Sequence, residues 1–220
     1  MTDPDFWRER WQKKEIGFHQ PVIHDLLQKH WPPLELAASS QVFVPLCGKS
    51  LDMVWLAETG QRVIGAELSE IAIDEFFAER ELEPAVREAG SFVVKSAGAY
   101  ELWCGDIFEL PPETVADVAG VYDRAALVAF PADLQQRYAA KLKELLPAAA
   151  PILLVTLDYD SERMTGPPFA VPRTQVDRLF ADSHAITELE RRDALELNPR
   201  FRQRGLTALD EYAYVLRKQK

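Results

Sequence analysis

Gly48 and Glu67 are the residues whose types and spacing first suggest chemistry. Gly48 follows a short apolar run, Val42, Phe43 and Val44, that Pro45 breaks. Glu67 comes about 20 positions later, near the carboxyl end of a second apolar run built from Val63, Ile64, Ala66 and Leu68. In an open parallel sheet, a carboxylate at that place accepts hydrogen bonds from a ribose hydroxyl pair. Without a ligand, the same residue would be a solvated strand end. Asp106, after Gly105, and Arg124, at the end of Gly120-Val121-Tyr122-Asp123-Arg124, are two further polar groups at strand ends. Arg124 is expected either to pair with Asp123 or to reach a ligand over the crevice.

These groups need a scaffold, and Gln41 to Glu70 supplies its first unit. Leu51, Val54, Trp55 and Leu56 recur at helical spacing after the turn, and Gly60 closes that helix, giving strand, turn, helix, strand. The turn Cys47-Gly48-Lys49-Ser50-Leu51-Asp52 lacks the GxGxxG spacing of dinucleotide enzymes. It also lacks a phosphate-binding loop, because position 43 is Phe where that loop requires glycine. One close-approach glycine with an acidic ribose clamp suits a nucleoside ligand without phosphates, and S-adenosylmethionine is the common one. On that reading Asp106 lies beside the adenine, accepting from its amine, with Ile107 over the ring. Asp106 could equally cap the next segment, and both readings stand.

The remaining elements follow in order. Asp3 is expected to cap a first helix with Pro4 in its first turn, and Trp7 and Trp11 share one face of it. Those indoles either staple the helix to the body or cover the donor, and the two roles are compatible. Ile16 to Pro21 is a turn, in which His19 is expected to be a hydrogen-bonded structural residue. Val22 to Trp31 is expected to be a second amphipathic helix, stopped by Pro32-Pro33. Ser69 is expected to cap a helix whose inner face is Ile71, Ile73, Phe76 and Phe77. Phe92-Val93-Val94 and Tyr100 to Trp103 form a hairpin across Ser96-Ala97-Gly98. Helices over Ala132 to Leu146 and Arg173 to Ala181 alternate with strands over Pro151 to Asp158, Ile186 to Arg191 and Leu209 to Leu216. Arg163 to Pro172 is a long proline-containing loop of the kind that forms lids, and Asn198 to Gly205 a basic connecting loop.

Composition limits the partners. With 220 residues and a formal charge of −10, one α/β domain with a small or neutral substrate is expected, and neither nucleic acid nor an anionic membrane suits that charge. Cys47 and Cys104 have no metal or CxxC spacing, so no metal site is expected, and reduced thiols point to the cytoplasm. The charged first thirty residues hold no apolar signal core, and no run is long enough to span a bilayer.

Across nearly its whole length the chain resembles the bacterial type of thiopurine S-methyltransferase. The resemblance rests on Phe6-Trp7 and Trp11 with Ile16 to Gln20, on Val44 to Met53, on Gly65 to Ser69, on Tyr122 to Leu127, and on Gly166-Pro167-Pro168-Phe169. It implies a Rossmann-like α/β fold, with a mostly parallel seven-stranded sheet, helices on both faces, and residues 1–38 as a helical cover over the cofactor crevice. It further implies S-adenosyl-L-methionine contacts from Trp11, Leu46, Glu67 and Arg124, with Asp106 and Ile107 near the adenine, where vertebrate members are expected to carry Ser-Ile. Phe18 is implied on the substrate side, and Arg200 near the substrate. The expected reaction is methyl transfer to the sulfur of thiopurines or related aromatic thiols, by a monomer. Bacterial relatives are also associated with methylating selenium and tellurium compounds and with tellurite resistance. The sulfonium is already activated, so proximity and orientation dominate, worth up to about 7 to 11 kcal/mol in well-oriented systems. Arg124 is the one candidate for positioning an anionic nucleophile, and no general base is identified. A noncatalytic donor-binding module and a nicotinamide-dependent oxidoreductase are the alternatives, the second disfavoured by the missing glycines.

Overall fold

Residues 4–219 are described by a computed structural model, so the expected cap Asp3 lies outside the described residues. The elements run α1 (Pro4–Gln12), α2 (Asp25–His30), β1 (Gln41–Pro45), α3 (Leu51–Glu58), β2 (Arg62–Glu67) and α4 (Glu70–Ala78). A hairpin region follows, with β3 (Ala85–Ala89), β4 (Phe92–Ala97) and β5 (Tyr100–Cys104). The chain closes with β6 (Val118–Arg124), α5 (Ala132–Leu145), β7 (Ile152–Asp158), α6 (Arg173–Phe180), β8 (His184–Asp193), α7 (Pro199–Gln203) and β9 (Asp210–Lys218).

One sheet of nine strands has the order β3-β4-β5-β2-β1-β6-β7-β9-β8. Its centre, β5-β2-β1-β6-β7, is parallel, and antiparallel pairs complete both edges. The chain leaves β1 toward β2 on one side and returns through β6 on the other, so the switch point lies between β1 and β6. Ligands of open α/β sheets bind outside the strand carboxyl ends at such a point.

The core explains why β1 is so apolar. Val42 and Val44 enter a cluster with Leu26, Leu27, Met53, Leu56, Ile73, Phe76 and Phe77, from α2, α3 and α4. Phe43, between them, enters the opposite cluster with Tyr138, Leu142, Val176 and Phe180, from α5 and α6. Successive strand residues point to opposite faces, so a strand covered on both must be apolar throughout.

Four expectations are corrected here. The sheet has nine strands, where seven were expected, because the β4–β5 hairpin is continuous with it and β3 adds an outer edge. Ala85 to Glu88 are exposed, so β3 carries no apolar alternation to betray it. The second helix starts at Asp25; Val22, expected within it, is 64% exposed. Ser69 stands at the N-cap of α4 without a side-chain cap bond, and the inner face uses Ala72, while Ile71 is 37% exposed. Residues Pro199–Gln203 of the expected basic loop form a short helix, with Pro199 in its first turn.

Asp123 provides a stability test of this packing. Its carboxylate is 1% exposed and accepts from Leu127 N (3.1 Å) and Tyr138 Oη (2.8 Å). Burial outweighs those bonds and raises it from 3.8 to about 6. The folded state therefore holds this proton more tightly than the unfolded chain does. Its contribution is full below pH 4 and lost as pH rises through 6, an effect of about 3 kcal/mol. The melting temperature of the wild type relative to Asp123→Asn should fall between pH 4 and 7 by about 6 to 12 °C. A flat difference would mean that Asp123 titrates as an exposed carboxyl does.

Candidate active site

A cavity of about 950 Å³ opens at the carboxyl ends of the parallel strands. Each central strand delivers a residue to it: Leu46 after β1, Glu67 from β2, Gly105 after β5, Arg124 from β6, and Val155 and Leu157 from β7. Trp7, Trp11 and Phe18 close it from the amino-terminal segment, and Arg200 and Arg204 from around α7. Cavity residues from that first segment end at Gln20; α2 instead buries Leu26 and Leu27 against the sheet. All eight residues expected at the site, Trp11, Phe18, Leu46, Glu67, Asp106, Ile107, Arg124 and Arg200, line this one space.

The turn after β1 fixes Glu67. Leu46 (φ 46°) and Gly48 (φ 51°) both adopt left-handed backbone, which reverses the chain within a few residues. A side chain at Gly48 would also stand 3.2 Å from Trp11 Cζ2. The freed Gly48 N–H donates to Glu67 Oε2 (2.9 Å), and Ser69 N–H donates to Glu67 Oε1 (2.8 Å). A carboxylate offers about four lone-pair sites, so acceptor capacity remains for a ligand. Burial raises Glu67 above its ordinary value, against the pull of the Ser69, Gly48 and Leu68 amides.

Arg124 does not pair with Asp123. Its Nη1 lies 3.9 Å from Asp52 Oδ2, while Asp123 turns inward to Tyr138. Asp52 is 1% exposed and accepts from Tyr122 Oη (3.1 Å) and His24 N (2.8 Å). The next residue, Ala125, has φ 66°, a left-handed turn at the end of β6 that matches Leu46 after β1. Arg200 forms no carboxylate pair among the described residues; its guanidinium meets the Phe201 ring at 4.9 Å. Burial and the neighbouring Arg124 and Arg204 lower its value, in that order. Arg204 Nη1 donates to Pro167 O (3.1 Å), tying the proline loop to the segment after α7.

Asp106 has one settled contact, since its Oδ1 accepts from Phe108 N (2.9 Å) and caps a short 3₁₀ turn. Ile107 beside it is 6% exposed. Lys49, in the turn after β1, is occupied by Glu75 of α4 (2.7 Å) and by Glu79 just beyond it (2.5 Å). Among the described residues His19 has no side-chain hydrogen bond or ion pair, contrary to its expected structural bonding.

Residue-type reasoning missed Asp52, and it left Trp7 between stapling the helix and covering the donor. Asp52 was an ordinary helix residue until the fold put Tyr122 and Arg124 beside it. Trp7 Nε1 is a buried donor at the cavity with no hydrogen-bond partner among the described residues, and its ring packs edge-on against Phe18 at 5.4 Å. Its position one helical turn from Trp11 was the available signal.

Residues 2–219 match the model of the thiopurine S-methyltransferase family. The chain belongs to that family. A thiopurine S-methyltransferase of Methylococcus capsulatus is 51% identical over 218 residues, covering 99% of this chain and 98% of its own. One from Pseudomonas fluorescens is 49% identical, covering 97% and 98%. Among solved structures, a SAM-dependent methyltransferase from Anabaena variabilis superposes with TM-score 0.63 at 16% identity, covering 98% of this chain and 95% of that one. The Burkholderia thailandensis 1,6-didemethyltoxoflavin-N1-methyltransferase, solved with bound 1,6-didemethyltoxoflavin and S-adenosylhomocysteine, gives TM-score 0.67 at 16% identity, covering 99% and 87%. These two support the fold. As a family member the protein is a methyltransferase with S-adenosylmethionine as cofactor, which displaces the oxidoreductase and the noncatalytic module. The spare acceptors of Glu67 at the switch point fit a phosphate-free nucleoside. No helix among the described residues is long and apolar enough to cross a membrane.

Proposed function

We propose that this methyltransferase transfers its methyl group to soft anionic nucleophiles: the sulfur of thiopurines and related aromatic thiols, and selenium or tellurium compounds, with tellurite resistance as a consequence. The observation that carries this reading is the cationic end of the cavity, where Arg124, Arg200 and Arg204 converge and Arg200 has no carboxylate partner among the described residues. A guanidinium stays charged at neutral pH, so an anionic acceptor would relieve the mutual repulsion of these groups.

In this reading Glu67 holds the ribose, Asp106 and Ile107 meet the adenine, and Leu46 and Trp11 enclose the rest of the donor. Arg124 bridges donor and acceptor, while Phe18 and Arg200 line the acceptor side. The donor supplies a methyl group already activated by positive sulfur. The protein's part is to hold the acceptor in line with it, exclude water and favour its ionised form. Two thiols without disulfide, Cys47 and Cys104, are in keeping with a cytoplasmic protein, and we take it to act as a monomeric single domain.

The experiment is a screen of aromatic thiols, selenols and tellurite with detection of adenosylhomocysteine. Turnover of a soft anion supports the proposal; donor binding with no turnover of any of them would contradict it. Arg200→Ala should lower kcat/KM for an anionic acceptor about 10-fold or more, the value of one charged hydrogen bond, with donor affinity unchanged. Unaltered kinetics would remove Arg200 from the acceptor site.

A further inference from the structure

The chain contains four histidines, and three are engaged. His24 Nε2 contacts Glu211 at 3.2 Å, His30 Nε2 contacts Glu190 at 2.8 Å, and His184 Nδ1 meets Ser183 Oγ at 2.9 Å. His19 has no side-chain hydrogen bond or ion pair among the described residues, and it lines the cavity. Its backbone is fixed nonetheless. His19 N donates to Ile16 O (2.8 Å), and the adjoining Phe18 ring is wedged edge-on against Trp7 and Trp11 at 5.4 and 5.6 Å. A half-buried imidazole on a rigid turn, with both nitrogens uncommitted, is an arrangement suited to exchanging a proton with a ligand.

The charged groups facing it are Lys49 from the turn after β1, Arg124 from β6, and Glu79 and Arg80 just beyond α4. Burial first, then the cations Lys49, Arg124 and Arg80 against Glu79, hold His19 below its ordinary 6.5. At neutral pH the ring is therefore an unprotonated base beside positive charge that favours an ionised acceptor. An aromatic thiol arrives largely ionised and needs no base. An alkyl thiol, with an ordinary value near about 8.5, arrives protonated.

We propose that His19 is a catalytic residue, the proton acceptor that extends this enzyme to thiols still carrying their S–H proton. The inference rests on the reading of the cavity as a methyl-transfer site for soft nucleophiles. The acceptor's S–H bond breaks and its proton passes to the free ring nitrogen of His19. The sulfur lone pair forms the new S–CH₃ bond while the methyl–sulfonium bond breaks, its electron pair leaving on the neutral thioether. The imidazolium then returns its proton to water.

The test compares wild type and His19→Gln at pH 7 with benzenethiol and with 2-mercaptoethanol. A general base contributes roughly 10²- to 10⁴-fold where its substrate is protonated. The loss in kcat/KM should therefore be at least ~10-fold greater for the alkyl than for the aromatic thiol, with adenosylhomocysteine affinity by calorimetry within twofold of wild type. His19→Asn is read in the same way if the glutamine variant is unstable. Independently of turnover, the His19 ring in ligand-free wild type should titrate below 6.5 by NMR. Equal losses with both thiols, weakened adenosylhomocysteine binding, or a ring titrating at or above 6.5 would overturn the role of His19. A wild type that methylates neither thiol would instead overturn the reading beneath it, and the inference with it.

Discussion

Glu67→Gln is expected to weaken adenosylhomocysteine binding by about 100-fold while leaving the protein folded, although the two side chains have nearly the same shape. Both carboxylate oxygens are already accepting, one from Gly48 N–H and one from Ser69 N–H. An amide can satisfy only one of them; its NH₂ must face the other backbone N–H, donor against donor. The side chain then rotates, or the turn after β1 opens, and a ribose acceptor is lost as well. A hydrogen bond to a charged group is worth about 1.5 to 3 kcal/mol, and losing one such bond plus part of another gives the magnitude stated. Folding should survive because Glu67 is held above its ordinary value by burial, so a neutral residue relieves a cost in the empty protein. Calorimetry with a parallel melting curve separates the two effects. Affinity within threefold of wild type would place the ribose elsewhere.

Arg124→Met is expected to lower kcat/KM about 100-fold, with the greatest loss at low pH. A guanidinium beside the acceptor lowers the pH at which the bound thiol ionises. Without it the ionisation limb of the pH profile moves up, so wild type and variant differ most below that limb and converge above it. Kinetics between pH 5.5 and 9 measure this, and a profile reduced in height but unmoved would remove Arg124 from acceptor ionisation. Stability should change less than the ~3 to 5 kcal/mol typical of breaking a buried ion pair. The contact with Asp52 is long at 3.9 Å, and Asp52 keeps the Tyr122 hydroxyl and the His24 amide.

The β1-turn-α3-β2 unit was legible because two-sided burial forces a continuous apolar run, and because Gly48 is where the backbone must be left-handed. Leu46 and Ala125 share that conformation without being glycine, so nothing in their residue types announced the tight turns that form the cavity rim. Residue type and resemblance together brought Glu67, Arg124, Asp106 and Arg200 to the cavity. Their partners were another matter, since Asp52 and Arg124 are distant in sequence and only the β1–β6 pairing unites them. Asp123 was the plausible neighbour by sequence, but on a strand successive side chains point to opposite faces, which sends it to Tyr138. β3 escaped because an exposed edge strand needs no apolar pattern. His19 is expected from its turn to be structural, because a cavity is visible only once the turn at 16–19 is set against β1 and β6.

The most direct test is a calorimetric cycle crossing wild type and Glu67→Ala with adenosylhomocysteine and its 2′,3′-dideoxyribose analogue. If Glu67 holds the ribose, removing the hydroxyls costs wild type about 100-fold and the alanine variant almost nothing, so the two losses do not add. Equal penalties in both proteins, from variants with the wild-type fold, would contradict the account.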